Sequence, residues 1–217
     1  MQYYNVGTLY LVSTPIGNLE DITFRAINIL KSVDLIAAED TRRSKILLSK
    51  YDIKTKMISY FEHNKFQRIS HIGKILMSGQ DVAVITDAGT PAISDPAYKL
   101  VRKAVEIGSR VEAVPGPSAV LAALVSSGLP TDRFLFEGFL PPKKGRRKRI
   151  ENMKNIKGTV VIYENSNRLK RTVKQLHEFL GDRPAVLCRE LTKIYEEIIR
   201  GTLLCILIAS LRFENFI

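Results

Sequence analysis

The sequence contains no tryptophan, only two cysteines and only three histidines among its 217 residues. Cys188 and Cys205 lie inside apolar runs, which predicts reduced, buried thiols. This excludes a disulfide scaffold and fits a reducing cytosol. Cysteine and histidine also lack the paired spacing that binds zinc, so we expect no metal.

Long hydrophobic runs are missing as well. The longest, Leu203 to Ala209, is far shorter than the roughly 20 residues that a bilayer span requires. The N-terminal segment has neither the basic nor the apolar stretch of a secretory signal. These absences predict a soluble, cytoplasmic protein with no membrane partner.

Acidic residues are scarce relative to basic ones. The chain has 22 Asp and Glu against 33 Lys and Arg, a formal net charge of +11. Such a surplus attracts polyanions and predicts salt-dependent association with them. Taken alone, it fits an RNA partner and a merely charged surface equally well.

Apolar runs of strand length alternate with helical periodicity through most of the chain, which indicates an α/β fold. The first half has expected strands at Leu9 to Ser13, Asp34 to Ala38, Val82 to Thr86 and Val111 to Val114. An apolar stripe from Ile22 to Val33 predicts a helix after the first strand. Asp95 before Pro96 resembles an N-cap followed by a proline at the first helical position, so a second helix should begin there.

Pro115, Gly116 and Pro117 interrupt the chain and mark an expected hinge between two domains, residues 1–117 and 118–217. The second half has expected helices at Ser118 to Ser127 and around Leu169 to Leu180, and expected strands at Thr159 to Tyr163 and Ala185 to Cys188.

Three loops rich in glycine and proline directly follow predicted strands. They are Thr14 to Leu19, Asp87 to Pro96 and Pro115 to Ala119. Ligands of parallel α/β sheets bind at the carboxyl ends of the strands. Small residues let the backbone approach a flat ligand such as adenine, and prolines reduce the entropy lost on binding. Together, the three loops predict a ligand site.

Neither common nucleotide fingerprint is present. No strand leads into G-x-G-x-x-G, and no G-x-x-x-x-G-K-[ST] occurs. The pattern therefore argues against a dehydrogenase and against a phosphate-cradling NTPase.

Seven ordered segments carry a resemblance to a known family. They are TPIGNL, AAEDTR, DAGTPAISDP, PGPSA, DRF followed by EGFLP, YENSNR and RELTK. In this order they resemble the tetrapyrrole-methylase-like, class III methyltransferases, and among these the ribosomal RNA small subunit methyltransferase I group. The resemblance extends from about Gly7 to Gly201.

The resemblance implies two α/β domains of the tetrapyrrole-methylase type with S-adenosyl-L-methionine bound in the cleft between them. It also implies a homodimer that uses no metal. The implied reaction is methylation of the ribose 2′-oxygen of a cytidine near the decoding site, cytidine 1402 of 16S rRNA. The partner is then 16S rRNA or the small ribosomal subunit.

The resemblance also implies which residues bind the cofactor, most of them in the three loops. These are Thr14, Pro15, Gly17, Asp87, Ala88, Gly89, Thr90, Pro91, Pro115, Gly116, Ser118 and Ala119, with Tyr163, Glu164 and Arg189 from the second domain. A ribose hydroxyl reacts readily only after it loses its proton, so a nearby base would assist. The candidates are Glu39, Asp40, Glu190 and Lys193, and the sequence leaves the choice among them open.

RNA contact is expected at clustered basic residues. Six positive charges lie within the seven residues from Lys143 to Arg149, enough to neutralise several phosphates. The expected RNA-binding residues are Lys143, Lys144, Arg146, Arg147, Lys148, Arg149, Arg42, Arg43 and Arg168.

The end of the chain departs from the family pattern. The family continues after RGTL into an acidic helix and a last strand, whereas Leu203 to Ile217 is apolar and different. We expect a truncated or altered C-terminal domain, with the apolar segment packed as a helix or strand. Two alternatives remain: a tetrapyrrole methyltransferase of the same fold, and a catalytically impaired RNA-binding protein.

Overall fold

The computed structural model describes residues 6–62 and 65–211. The chain forms two compact units and passes from the first to the second between Ser118 and Ala119.

The first unit is built on one parallel sheet. Its strands are β1 (Leu9–Val12), β2 (Leu35–Ala38), β3 (Met57–Ser59), β4 (Val82–Ile85) and β5 (Val111–Val114). They pair in the order β3-β2-β4-β1-β5. β2 and β4 are buried along their whole length because helices cover both faces of the sheet.

The helices of this unit are α1 (Phe24–Ser32), α2 (Thr41–Lys50), α3 (Lys65–Met77) and α4 (Ala97–Glu106). Alternate residues of a strand point to opposite faces of a sheet. Ile36 and Ala38 of β2 accordingly pack in the core beside α1 and α2. Leu35 and Ala37 pack in the core beside α3 and α4.

Helix α4 begins one residue later than the sequence suggested. Its N-cap is Pro96 rather than Asp95, whose Oδ1 accepts a hydrogen bond from the N–H of Ala97 at 2.7 Å just before the helix begins. The strand, loop, helix and strand from Val82 to Val114 form a βαβ unit, as the sequence predicted.

The second unit alternates helices and strands. Its helices are α5 (Ala119–Ser127), α6 (Arg146–Asn152), α7 (Leu169–Leu180) and α8 (Leu203–Ser210). Its strands are β6 (Phe134–Phe139), β7 (Thr159–Tyr163), β8 (Pro184–Arg189) and β9 (Glu197–Thr202). β6 and β7 pair in parallel, and β8 and β9 pair antiparallel. Within the described residues each of these strands has a single strand partner.

The apolar C-terminal segment packs as a helix, which confirms one of the two expected forms. Leu203 and Ile206 of α8 lie in the same core as Val173 and Leu176 of α7. Residues 212–217 lie outside the described residues, so the expectation of a truncated or altered ending stays a prediction.

The expectation that both cysteines are buried is wrong for Cys205, which is exposed. Leu203 and Ile206 turn toward the core, and the helical spacing leaves Cys205 on the outer side of α8. Cys188, on β8, is half-buried, and both thiols are free.

Two negative findings hold for residues 6–62 and 65–211. No helix there is long and apolar enough to cross a membrane. That part of the chain also contains no cluster of three His, Cys, Asp or Glu side chains that could hold a metal ion.

Candidate functional site

The three predicted loops follow β1, β4 and β5, which are neighbours in the sheet, so they lie side by side at its carboxyl edge. The first two are joined by a pair of backbone hydrogen bonds. Thr14 N–H donates to Gly89 O, and Gly89 N–H donates to Thr14 O, each at 2.9 Å. This bridge fixes the spacing of the two loops.

A chain of side-chain hydrogen bonds joins the third loop to the others. Ser13 Oγ donates to Thr90 Oγ1 at 3.1 Å, and Thr90 Oγ1 donates to Pro117 O at 3.4 Å. A Cβ atom at Gly116 would lie 2.9 Å from the Cβ of Ser13, so only glycine permits this approach. The loops therefore form one preorganised edge.

The loop after β4 carries an unusual backbone. Gly89 has φ +83°, and Ala92 and Ser94 have φ 70° and 67°, in the left-handed region that disfavours residues with a Cβ. Such conformations persist where the surroundings hold them, and they concentrate at ligand sites.

The residues of the three loops differ in their exposure to solvent. Ala88, Pro115, Gly116 and Gly17 are exposed, whereas Thr14 is only 2% exposed. The Thr14 hydroxyl donates to the carbonyl oxygen of Thr86 at 3.0 Å. The expectation that Thr14 faces a ligand therefore fails for its side chain, which holds the loops together instead.

Two of the candidate bases, Glu39 and Asp40, lie together at the end of β2, next to Asp87. Glu39 Oε2 accepts hydrogen bonds from Thr86 Oγ1 at 2.5 Å and from the N–H of Asp87 at 3.3 Å. Asp87 Oδ1 in turn accepts from the N–H of Asp40 at 3.1 Å. The sequence placed Asp87 in the cofactor loop, and this acidic cluster links that loop to the start of α2.

Two arginines at the start of α2 pair with this cluster. Arg42 Nη2 lies 2.8 Å from Asp40 Oδ2, and Arg43 Nη1 lies 3.2 Å from Asp87 Oδ2. Both guanidinium groups are otherwise exposed, at 89% and 72%, so they retain donors for an anion. The RNA contact that the sequence predicted for Arg42 and Arg43 is untested by the structure and stays a proposal.

The surroundings of Asp40 and Asp87 shift their pKa values in opposite directions. Hydrogen bonds from the side chain and backbone of Arg42 hold the pKa of Asp40 at about 2. Burial, and then the nearby carboxylate of Glu39, raise the pKa of Asp87 above its usual value. Asp40 is consequently a poor proton acceptor, because a weakly basic carboxylate gives little driving force for proton transfer.

The basic run from Lys143 to Arg149 contains one residue that the sequence assigned wrongly. Arg146 is only 3% exposed and points into the second unit. Its guanidinium donates to Gln175 Oε1 at 2.7 Å and Pro141 O at 3.2 Å, and its Nη2 lies 3.5 Å from Glu164 Oε2. A guanidinium held in this way cannot reach an RNA phosphate, so Arg146 is a structural residue.

Glu164 and Arg168 belong to the same network. Glu164 accepts from Thr172 Oγ1 at 2.6 Å and pairs with Arg168 Nη2 at 2.6 Å, and its side chain is 7% exposed. The cofactor contact expected of Glu164 and the RNA contact expected of Arg168 therefore compete with an existing buried ion pair. Tyr163 precedes this network and packs edge-on against Phe136, with ring centroids 4.9 Å apart.

The other residues of the run are exposed. Lys143, Lys144 and Lys148 face solvent. Arg147 pairs with Glu151, and Arg149 pairs with Glu137. Because α6 begins within the run, its charges are presented partly from a helix rather than from a loop.

The remaining candidates lie in the second unit where β8 leads to β9. Lys193 Nζ is 3.1 Å from Glu190 Oε2, and Arg189 Nη1 is 3.3 Å from Glu197 Oε2. Glu190 and Thr192 have φ 50° and 67°, so this turn also has left-handed residues. Glu190 and Lys193 are thus brought together as one ion pair.

Sequence reasoning missed the burial of Ser44. The residue is 5% exposed and lies next to a cavity beside the first loop and the end of β4. Ser44 lies between Arg43 and Lys45, and nothing in this basic stretch indicated burial. Helix α2, which buries it, was not predicted from the sequence.

The chain is similar to known proteins in both sequence and fold. It matches the family described as tetrapyrrole (corrin/porphyrin) methylases over residues 8–205. Cobalt precorrin-4 methyltransferase, a cobalamin biosynthetic enzyme, superposes with a TM-score of 0.71 at 19% identity, covering 96% of this chain and 90% of that one. Uroporphyrin-III C-methyltransferase from Thermus thermophilus, complexed with S-adenyl homocysteine, gives 0.66 at 20% identity, covering 94% and 92%. These likenesses define the class, an α/β protein with the tetrapyrrole methylase fold.

More similar relatives narrow the class. A ribosomal RNA small subunit methyltransferase I from Halalkalibacterium halodurans is 54% identical over 198 residues, 91% of this chain and 68% of that protein. One from Thermotoga maritima is 47% identical over 196 residues, 90% of this chain and 88% of that protein. The chain therefore belongs to the ribosomal RNA small subunit methyltransferase I family, which confirms the resemblance in its sequence.

Proposed function

We propose that this chain is an S-adenosyl-L-methionine-dependent methyltransferase that modifies small-subunit ribosomal RNA at the ribose 2′-oxygen of a cytidine. Relatives that are 47–54% identical over about nine-tenths of the chain, all named for small-subunit rRNA methylation, carry this proposal. The exposed basic residues of α6 and α2 support it. A cytoplasmic, homodimeric enzyme is part of the proposal.

The three connected loops suit the cofactor. Exposed Ala88 and Gly116 leave backbone groups uncovered, and a Cβ at Gly116 would meet Ser13. The two-way bridge between Thr14 and Gly89 holds the backbone in place before any ligand arrives. We assign cofactor binding to Asp87 through Pro91 and Pro115 through Ala119.

When bound, S-adenosyl-L-methionine supplies a methyl group activated by a sulfonium. The chain's own contribution is alignment, because holding reactants in line replaces a bimolecular encounter with an oriented one. A carboxylate near the ribose hydroxyl would accept its proton. Asp40 is a weak candidate for this base, since its pKa is held at about 2. Glu39, Glu190 and Lys193 remain.

RNA binding is assigned to exposed cations that can reach phosphates. Lys143, Lys144 and Lys148 face solvent. Arg147 and Arg42 each share their charge with one carboxylate at the surface. Such contacts position a substrate without reading its sequence.

Two measurements test the proposal. Calorimetric titration with S-adenosyl-L-methionine should show binding, which a non-catalytic RNA-binding protein would lack. Incubation with tritiated S-adenosyl-L-methionine and either 16S rRNA or small subunits should label the RNA. Label on a tetrapyrrole and none on either RNA substrate would favour the alternative reaction.

A further inference from the structure

Helices α3 and α4 pack on the same face of the first unit's sheet, and their outer surface is strongly basic. The two helices contain six Lys and Arg and a single acidic residue, Glu106. Lys74, Lys99 and Arg102 are exposed, and Lys103 pairs with Glu106 at 3.2 Å. A surface with this surplus of one sign attracts a polyanion, and a symmetric contact with a second copy would bring like charges together.

Two aromatic side chains lie among these cations. Phe66, in the first turn of α3, is 71% exposed, and Tyr98, in the first turn of α4, is 57% exposed. Lys99 Nζ lies 5.0 Å from the centre of the Phe66 ring, close enough for a cation–π contact. Exposed rings beside cations suit unpaired nucleotides, because bases stack on rings and phosphates pair with cations. The α3–α4 surface is formed by Phe66, Lys74, Tyr98, Lys99 and Arg102.

Two contacts between the helices make this surface continuous. A Cβ atom at Gly73 of α3 would lie 3.8 Å from Cγ of Lys103, so the stem of Lys103 lies against α3 at this point. The contact between Phe66 and Lys99 joins the same two helices nearer their N-terminal ends. The rings and the cations are therefore carried by helices that pack directly on each other, rather than by separate loops.

The α3–α4 surface begins where one of the proposed cofactor loops ends. The loop from Asp87 to Pro96 leads directly into α4, so Tyr98 and Lys99 are the first exposed side chains of the helix that follows it. Tyr60 Oη, just after β3, donates to the carbonyl oxygen of Pro96 at 2.9 Å and fixes this junction. A strand of RNA that leaves the loop on this side would meet the aromatic end of the surface.

We propose that the α3–α4 surface binds unpaired RNA nucleotides next to the nucleotide that is methylated. Their bases stack on Phe66 and Tyr98, and their phosphates contact Lys99 and Arg102. A duplex does not suit this surface, because its bases are already stacked on one another and cannot reach a ring. The inference rests on the proposed function for the identity of the RNA, and it adds to the first unit a binding surface distinct from the basic residues of α2 and α6.

Removing one ring tests the aromatic part of this proposal. The probe is a fluorescently labelled, unstructured RNA strand of about ten nucleotides, a length typical of single-stranded binding sites, and anisotropy gives its affinity. Phe66→Ala should weaken binding by about 5-fold or more, the loss expected when one base no longer stacks. Phe24→Ala, which removes a ring that is 88% exposed on α1, on the other face of the sheet, should bind as the parent does.

The salt dependence of the same binding tests the cationic part. Lys99→Ala combined with Arg102→Ala should flatten the slope of log affinity against log salt by about 1.4, because each phosphate contact of a single strand contributes about 0.7. Lys31→Ala combined with Lys50→Ala removes the same charge from exposed positions of α1 and α2, and the slope should stay close to that of the parent. Affinity for S-adenosyl-L-methionine and melting temperature should be the same in all variants, which excludes unfolding as the cause.

Equal weakening by Phe66→Ala and Phe24→Ala, an unchanged slope without Lys99 and Arg102, or a parent that does not bind the strand would overturn the inference. So would a Phe66→Ala variant that loses self-association in analytical ultracentrifugation but keeps its RNA affinity, because the surface would then contact a second copy.

Binding is measured without methyl transfer, so the inference and the proposed function can fail separately. A parent that binds the strand through Phe66 but methylates no RNA refutes the proposed function and leaves the RNA-binding surface standing. A parent that methylates small-subunit RNA but binds the strand equally well without Phe66 refutes the inference alone.

Discussion

Replacing Arg146 is the sharpest test of how the second unit is stabilised. Arg146→Ala removes a side chain that is 4% exposed and that bonds to Gln175, Pro141 and Glu164. Arg147, the next residue, and Arg149, three positions on, are both exposed. Replacing either of them with alanine should therefore cost much less stability than replacing Arg146.

The magnitude follows from what is left behind. Breaking a buried ion pair by removing one partner costs about 3–5 kcal/mol, because the other charge stays buried. Glu164 keeps Arg168 and the hydroxyl of Thr172 in the variant, so the lower end, about 3 kcal/mol, is expected. In a unit of about 100 residues, this corresponds to a melting temperature lower by about 12–24 °C.

The assay is urea and thermal unfolding followed by circular dichroism, with Lys148→Ala as the matched control on the same helix. Lys148 is exposed, and replacing such a residue should change stability by no more than about 0.5 kcal/mol. Arg146→Lys tests geometry at constant charge, since a lysine cannot form the forked contacts of a guanidinium. It should recover only part of the lost stability.

Equal stability of Arg146→Ala and Lys148→Ala would refute the reasoning. It would mean that Arg146 is free in solution and available to RNA, as its place in the basic run first suggested. The result also decides how RNA binding should be tested, because neutralising the whole run would unfold the unit if Arg146 is structural.

Three further predictions concern single features. Replacing Lys143, Lys144 and Lys148 together with alanine should flatten the dependence of log RNA affinity on log salt by about 0.7–0.9 per lost phosphate contact, with cofactor affinity unchanged in calorimetry; an unaltered slope would exclude these lysines from the interface. Ser44→Ala should stabilise the protein by about 1 kcal/mol in urea unfolding, because the buried Ser44 hydroxyl has no hydrogen-bond partner among the residues that the structure describes; lower stability would show that it has a partner. Asp95→Asn should stabilise the protein at pH 7, because burial and the nearby carboxylate of Glu39 raise the pKa of Asp95 and make its charged form unfavourable in the fold. The gain should shrink as pH falls through that raised pKa, where the parent is protonated too, and a gain that does not depend on pH would contradict the assignment.

The fold was predictable where its signals are local. The run from Val82 to Thr86 is apolar throughout because β4 is buried on both faces of the sheet. Asp95 and Pro96 mark the start of α4 to within one residue, because the hydrogen bond from the Ala97 N–H to Asp95 depends only on neighbouring residues. These signals, with the loops after β1, β4 and β5, were sufficient for the α/β class.

The elements that were missed lack such signals. Helix α2 begins in TRRSK, where charge suggested a surface patch and hid the buried Ser44 and Leu47. Strand β3 has only three residues, too few for a periodic pattern. In each case burial is decided by neighbours that are distant in sequence.

The candidate site shows the same difference between local signals, which could be predicted, and contacts between distant residues, which could not. The loops could be found from glycine and proline alone, but their mutual hydrogen bonds could not. Arg146 is one of six cations in seven residues, and nothing local distinguishes it from Arg147. Its partner Glu164 lies 18 positions further along the chain, so only the folded unit reveals that one cation is structural.

The central claim is methylation of a cytidine 2′-oxygen in small-subunit rRNA, and methyl mapping of that RNA tests it most directly. Small-subunit rRNA would be isolated from a strain lacking the gene and from the same strain carrying it, digested, and analysed by mass spectrometry for 2′-O-methylcytidine. The account predicts that this nucleoside is missing from one fragment near the decoding site in the deletion strain and returns with the gene. Identical methylation in both strains would contradict it.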